Sequence, residues 1–303
     1  MKKSLVMFLI SLSLIFSDKL YSQQDPLFTQ YMFNTMSINP GYAGSAGFLS
    51  VNAISRHQWI GFEGAPSTQT FAAHAPLREE LGFGVTVFND NTGPISNLSL
   101  EANFSYILKL TEQSNLSFGL MGGFNNVHIG LLDLEGVDPT DDAFQYNINN
   151  YRPIFGAGLY FSNPRGYIGV SIPDLVETEF EDQVTTWKHD RHYFFIAGYI
   201  QNLSDDVLFR PTAMVRYVQN MPVSLEGTAS FIFRDRIWFG LMYRHEDAVG
   251  ALTCFQVNQQ IRIGYSYDYG ISELSSYQSG THEIMINYDF NYGRKDYVSP
   301  RYF

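Results

Sequence analysis

From about residue 48 onward the chain alternates between apolar and polar positions with a period of two. That is the repeat of a β-strand, whose successive side chains point to opposite faces. In Ile261-Arg262-Ile263-Gly264-Tyr265-Ser266-Tyr267-Asp268 every odd position is apolar or aromatic, and every even one is small, polar or charged. Residues 283–290 do the same with the apolar side chains on even positions, Met285 being the exception. Residues 207–217 set Val207, Phe209, Pro211, Ala213, Val215 and Tyr217 against Arg210, Thr212 and Arg216. The pattern predicts fourteen strands, at 48–60, 67–77, 81–89, 96–110, 115–127, 150–162, 166–173, 188–201, 207–218, 223–233, 236–244, 249–256, 260–268 and 281–290.

A soluble sandwich also alternates, with its apolar face inward. Two features favour a transmembrane antiparallel β-barrel. The predicted strands run to roughly 8–15 residues, against about 5–6 in soluble sheets. Tyr and Phe gather toward strand ends, as in the aromatic girdles of a bilayer interface. In that setting the apolar face meets lipid and the polar face lines the interior. The strand number is even, as in bacterial barrels. The first, third, fifth, seventh and thirteenth connections are expected to be long (61–66, 90–95, 128–149, 174–187 and 269–280), and the even-numbered ones short. The ninth and eleventh are short as well. Short turns belong in the periplasm and long loops outside, so both termini are expected on the periplasmic side.

The first residues differ. Met1-Lys2-Lys3 is basic and residues 4–16 are largely apolar and uncharged. Small and polar residues follow to Ser22, so residues 1–22 read as a secretory signal peptide rather than a membrane anchor. No later stretch offers 18 uncharged apolar residues for a membrane helix. Residues 23–47 lack strict alternation. Leu27, Tyr31 and Asn34 share a helical face, and Asn39-Pro40-Gly41-Tyr42-Ala43-Gly44 is turn chemistry. A short helix or plug ahead of a barrel at 48–290 is expected there, with 291–303 as a tail; a disordered periplasmic leader is the other reading.

Composition narrows the classes. Only 16% of the 303 residues are charged, against about a quarter in soluble proteins, and 16% are aromatic. The net charge is −11; without residues 1–22 it becomes 16 Lys/Arg against 29 Asp/Glu, or −13. An acidic chain without Lys/Arg blocks is a poor nucleic-acid binder, so no nucleic-acid partner is expected. The lone cysteine, Cys254, excludes an internal disulfide and a multi-Cys zinc site.

Candidate chemistry is thin. Seven histidines are scattered and no G-x-S-x-G elbow is present. His189-Asp190-Arg191-His192 is the one dense polar cluster, but two His three apart on a strand face opposite ways. It reads as an ion-pair cluster in the lumen or at the rim. Asp138, Asp141 and Asp142 lack the spacing of a calcium loop and read as a solvated acidic loop. No Walker or dinucleotide motif exists. No catalytic residue, metal or cofactor is expected.

One long pattern carries more. Gln24-Asp25-Pro26-Leu27-Phe28-Thr29-Gln30-Tyr31-Met32-Phe33-Asn34, followed by Asn39-Pro40-Gly41-Tyr42-Ala43-Gly44, resembles the opening of the PorP/SprF family. Arg56-His57-Gln58-Trp59-Ile60-Gly61-Phe62 with Gly64-Ala65-Pro66, His282-Glu283-Ile284, and the end Ser299-Pro300-Arg301-Tyr302-Phe303 resemble it too. Gly41 stands where the family usually shows Ala. The resemblance implies an outer-membrane component of the type IX secretion system of Bacteroidota, with a barrel like the fourteen-stranded fatty-acid transporters. It implies partners among other type IX components and a role in secreting and holding large adhesins, typically of gliding motility, through their C-terminal domains.

The residues expected to line the lumen or touch a partner are Tyr31, Asn34, Asn39, Tyr42, Arg56, Gln58, Trp59 and Glu283. Arg56 and Gln58 are placed inward, against lumen carboxylates such as Glu101 or Glu283, with Trp59 in the interface belt. For Arg56 the bland reading, a charge that stabilises the lumen, is preferred over ligand binding. The leading expectation is a non-enzymatic anchor whose loops at 128–149, 174–187 and 269–280, or barrel mouth, grip an adhesin's C-terminal domain. A transporter of a small apolar molecule and a barrel hydrolase are the rivals.

Overall fold

A computed structural model describes residues 27–132, 134, 146–181, 186–219 and 221–290. The expected signal peptide, the tail 291–303 and the acidic triplet Asp138, Asp141 and Asp142 lie outside the described residues. The strands are β1 Ser50–His57, β2 Ser67–Arg78, β3 Leu81–Thr92, β4 Ile95–Thr111, β5 Ser114–Ile129, β6 Ile148–Asn163, β7 Gly166–Ile172, β8 Thr178–Glu181 and β9 Thr186–His189. They continue with β10 His192–Tyr199, β11 Gln201–Ser204, β12 Val207–Val218, β13 Ser224–Phe233, β14 Ile237–Arg244, β15 Ala248–Gln256, β16 Ile261–Gly270 and β17 Thr281–Asp289.

Consecutive wall strands pair antiparallel, and β1 pairs with β17, which closes the cylinder. β10 bridges β7 and β12, and β11 continues it past Ile200. Counting β10 and β11 as one stave, the wall is a fourteen-stranded antiparallel barrel. β8 and β9 form a small separate hairpin within the connection after β7. Through the β1–β17 and β10–β12 pairings the ladder runs all the way round, as hydrocarbon requires of a spanning sheet.

The alternation decides which way each side chain looks. Along β14 exposed and buried residues take strict turns, from exposed Ile237 to buried Arg244. The buried set around the barrel is largely polar, with Asn103, Ser117, Arg152, Arg210, Ser230 and Glu283 among it. The exposed set is apolar; Leu120 is 66% exposed and Phe124 69%. Such a surface is wrong for water and right for lipid tails. The apolar belt ends toward the tips of β1 and β2. There a polar chain runs on the outer wall: Asn89 Nδ2 donates to Gln69 Oε1 (2.9 Å), and Gln69 Nε2 to Ser67 Oγ (2.9 Å). His57 continues it, its Nδ1 3.1 Å from Ser67 Oγ and its Nε2 3.2 Å from Ser55 Oγ.

The two ends of the barrel differ. One carries tight turns such as Glu79-Glu80, Pro164-Arg165 and Asp205-Asp206; we call it the hairpin end. The other, the loop end, carries 58–66, 130–147, 173–191 and 271–280. The connection expected at 90–95 is a two-residue turn, Gly93-Pro94, because Asn91 pairs with Ser96 and Thr92 with Ile95. The strand expected from 188 starts at His192, since Thr186–His189 belongs to the side hairpin. Among the described residues no helix is long and apolar enough to cross a membrane.

Candidate functional site

The barrel interior is occupied by the chain's own N-terminal segment. Three 3-10 turns, Tyr31–Phe33, Thr35–Ser37 and Pro40–Tyr42, replace the short α-helix that the spacing of Leu27, Tyr31 and Asn34 suggests. Asn39 explains the last turn. Its side chain accepts from the Gly41 N–H at 2.9 Å, and Pro40 follows at the first helical position, where a missing N–H costs nothing. Phe28, Tyr31, Met32, Met36 and Ala43 are buried and form the apolar core with inward residues such as Ile54, Ile196, Ile232 and Met285.

The segment runs lengthwise. Thr29 and Gln30 lie at the loop end, where their backbone N–H groups donate to the two oxygens of Glu283 at 3.0 and 2.9 Å. Midway, Asn39 Nδ2 donates to the Leu159 carbonyl at 2.9 Å and Ser171 Oγ to the Ile38 carbonyl at 2.9 Å. At the hairpin end Ser105 Oγ donates to the Ala43 carbonyl at 2.5 Å, and the Gly44 N–H donates to His74 Nδ1 at 3.1 Å. The expectation that both termini sit at the hairpin end therefore meets a segment whose described start, Leu27–Gln30, stands at the loop end. Gly119 and Gly158 make the fit possible. A Cβ on Gly119 would collide with the Pro40-Gly41 backbone, and one on Gly158 with the Asn39 side chain.

A charged cluster holds the loop-end part. Arg56 is 2% exposed; its Nη1 lies 2.9 Å from Glu283 Oε2 and its Nη2 2.9 Å from Asp268 Oδ2. Thr29 closes the ring, with Oγ1 donating to Asp268 at 2.6 Å and accepting from Arg56 Nη1 at 3.2 Å. β1 and β17 bring Arg56 and Glu283 opposite each other across the closing seam, and β16 supplies Asp268. Near the same end of the wall Arg244 Nη2 pairs with Glu226 at 2.7 Å and Nη1 with Asp247 at 3.0 Å. Arg152 pairs with Asp174 at 2.6 Å and donates to Asn125 at 3.1 Å. Lower down, the Phe33 ring lies under the guanidinium of Arg210 at 4.7 Å and near that of Arg262 at 5.4 Å, and Arg262 also covers Trp238 at 4.9 Å.

The eight expected site residues separate into two groups. Tyr31, Asn34, Asn39 and Tyr42 are buried in the segment, and Arg56 and Glu283 grip its start. Tyr42 meets His74 and Tyr160 edge-on, at ring separations of 5.2 and 5.4 Å. Gln58 and Trp59 lie elsewhere. β1 ends at His57, so Gln58 leaves the wall half-buried, its N–H donating to the Pro66 carbonyl at 2.9 Å. Trp59 sits in the connection with φ +47°, its N–H donating to Thr281 Oγ1 at 3.3 Å and its ring edge-on to Phe62. The Arg56 carboxylates are Glu283 and Asp268, not Glu101, which lies on β4 well round the wall. Asp268, Thr29 and Gln30 were missing from the expected set. The signal for Asp268 was present, since it stands on the polar parity of the segment that defined the alternation. His192, of the dense polar cluster, is buried at the start of β10. Among the described residues no three His, Cys, Asp or Glu side chains converge as a metal site.

One solved outer-membrane channel shares this fold. The solved structure of the CymD monoaromatic hydrocarbon channel superposes with a TM-score of 0.52 at 11% identity, over 85% of this chain and 92% of that one. A FadL homologue of Pseudomonas aeruginosa gives 0.49 at 11% identity, over 89% and 96%. Omp33 of Acinetobacter baumannii gives 0.45 at 8%, over 80% and 98%. At such identities the likeness to CymD is one of fold. No curated protein matches the chain. A family model does: that of the type IX secretion system membrane protein PorP/SprF, over residues 20–288. That range takes in the lumen segment, the Arg56 cluster and all of the barrel wall but the last residue of β17, and the chain is thus an outer-membrane member of the PorP/SprF family of type IX secretion proteins.

Proposed function

We propose that this barrel is a non-enzymatic surface anchor that holds the C-terminal domain of a large secreted adhesin at its loop end, in company with other type IX components and in support of adhesion or gliding. The hairpin end faces the periplasm and the loop end faces the outside. The observation that carries the reading is the occupied lumen. A segment bonded to the wall from Gln30 to Gly44 serves as a plug and leaves little room for a passing solute. What remains for a partner is the mouth and the long connections 58–66, 130–147, 173–191 and 271–280, displayed on a rigid frame. Transport of a small apolar molecule fits less well. The inward face carries Arg56, Arg152, Arg210, Arg216, Arg244 and Arg262, a poor lining for a greasy tunnel.

The test is to shorten the connection 130–147 to a tight turn. The barrel should still migrate as a folded species on unboiled gels, while adhesin moves from the cell surface into the medium. Surface retention equal to the parent strain would overturn the reading. Co-purification of adhesin with the parent protein, lost in the shortened one, would support it.

A further inference from the structure

The outer wall near the hairpin end is not evenly covered. Where β6, β7, β10 and β12 run side by side there is a groove of about 400 Å³, lined mostly by apolar atoms. Its walls are Phe161, Ile168 and Tyr199, and its floor includes Gly166, Ala197 and Ala213. The register explains the hollow. Phe161 pairs with Ile168, Ile168 with Ala197, and Ala197 with Ala213. Two large side chains are thus followed, along one outward row, by two methyl groups. The row continues to Gly227 on β13, where an added Cβ would meet nothing within 4 Å. One step toward the loop end the outward residues are large again: Val170, Phe195, Val215 and Leu225.

Eight of the groove's eleven lining residues stand on the outward parity of strands that cross the membrane, with Tyr167, Gly198 and Thr212 of the inward parity behind them, so its mouth opens into hydrocarbon. Exposed Val170, Phe195 and Ile168 surround it and continue the lipid-facing belt. Its volume falls within the range of small-ligand sites. At the hairpin end the lining reaches Asn163, the last residue of β6. Exposed Arg165 lies in the turn between Asn163 and Gly166, its N–H donating to Asn163 Oδ1 at 2.8 Å. That places a cation at the level where a lipid phosphate would stand.

We propose that the groove is a binding site for one phospholipid of the leaflet at the hairpin end, with an acyl chain along Ala197 and Ala213 and the phosphate beside Arg165. The site is independent of any cargo at the loop end. A chain filling the groove restores the packing that small side chains leave open on the outer wall.

The full-length protein, reconstituted into phosphatidylethanolamine and phosphatidylglycerol vesicles containing a diazirine-acyl phosphatidylethanolamine, tests this. After irradiation, cross-links are mapped by peptide mass spectrometry. They should concentrate on residues 159–168, 195–199 and 211–215. Ala213→Phe, which fills the groove, should cut them at least tenfold, whereas Ala53→Phe, an outward position on β1, should not. Arg165→Glu should lower them several-fold. Should Ala213→Phe fail to insert, Ala197→Leu makes the same test more gently. Cross-links spread evenly round the wall, or unchanged in the groove-filling variant, would mean only ordinary bilayer contact and would overturn the proposal.

Discussion

Arg56 shows how far one side chain can be read from sequence. It is a lone charge on the inward parity of β1, and a charge inside a barrel needs a partner, so a lumen carboxylate such as Glu101 or Glu283 could be expected, of which the structure supplies Glu283. Asp268 could not be singled out. It shares that inward parity on β16, one strand beyond β17, and which inward carboxylate reaches Arg56 is decided by strand register, which alternation does not report. The geometry makes Glu283 the centre of the grip, since it takes two backbone N–H groups as well as Arg56. Glu283→Gln keeps the size and removes the charge, and Arg56 is left with Asp268 alone. Unpairing one side of a buried ion pair costs about 3–5 kcal/mol, and part of that loss falls on the lumen segment. We expect Met32→Cys, wholly buried in the parent, to react slowly with a water-soluble maleimide and at least tenfold faster when Glu283→Gln is added. Equal rates would show that Glu283 does not hold the segment.

Strands were the most legible level. Long alternating runs leave little choice of period, and the wall strands lie within a few residues of their expected positions. β12, expected at 207–218, spans Val207–Val218. The misreadings have a common cause. Asp90, Asn91 and Thr92 look like loop residues, yet at the tip of a hairpin above the apolar belt polar side chains are no obstacle to pairing. The lumen segment was less legible because 3-10 turns carry no regular period and are fixed by contacts with the wall. The wall itself makes a prediction about depth. Leu120 faces outward mid-strand on β5, while Gln69 lies in the polar chain beside His57. Leu120→Arg should destabilise the barrel in bilayers by about 2–4 kcal/mol, and Gln69→Arg by about 0–1 kcal/mol, the difference between a bilayer midplane and its interface. Urea titration of refolding into vesicles measures both. A similar cost at the two sites would displace the membrane boundary we assign.

At the scale of the whole molecule the question is whether the cylinder conducts. A fourteen-stranded barrel is wider than the eight-stranded kind whose side chains fill it, so something must occupy the interior or water will. Here residues 27–47 occupy it, with Phe33 under Arg210, Asn39 bonded to β6, and Ala43 and Gly44 bonded to β4 and β2. Removing them would expose Glu283, Asp268, Arg56 and Arg210 on a wet inner wall, and charged linings favour ion passage. We therefore expect the parent protein in planar bilayers to show little conductance, and a variant lacking residues 27–47 to show steady channel currents. Glu283→Gln, which leaves the segment present but loosened, should fall between them, with brief openings on a closed baseline. Open-channel currents of equal size in the parent and the deletion would mean that the segment does not obstruct the lumen. The anchor reading would then lose the observation that separates it from a porin.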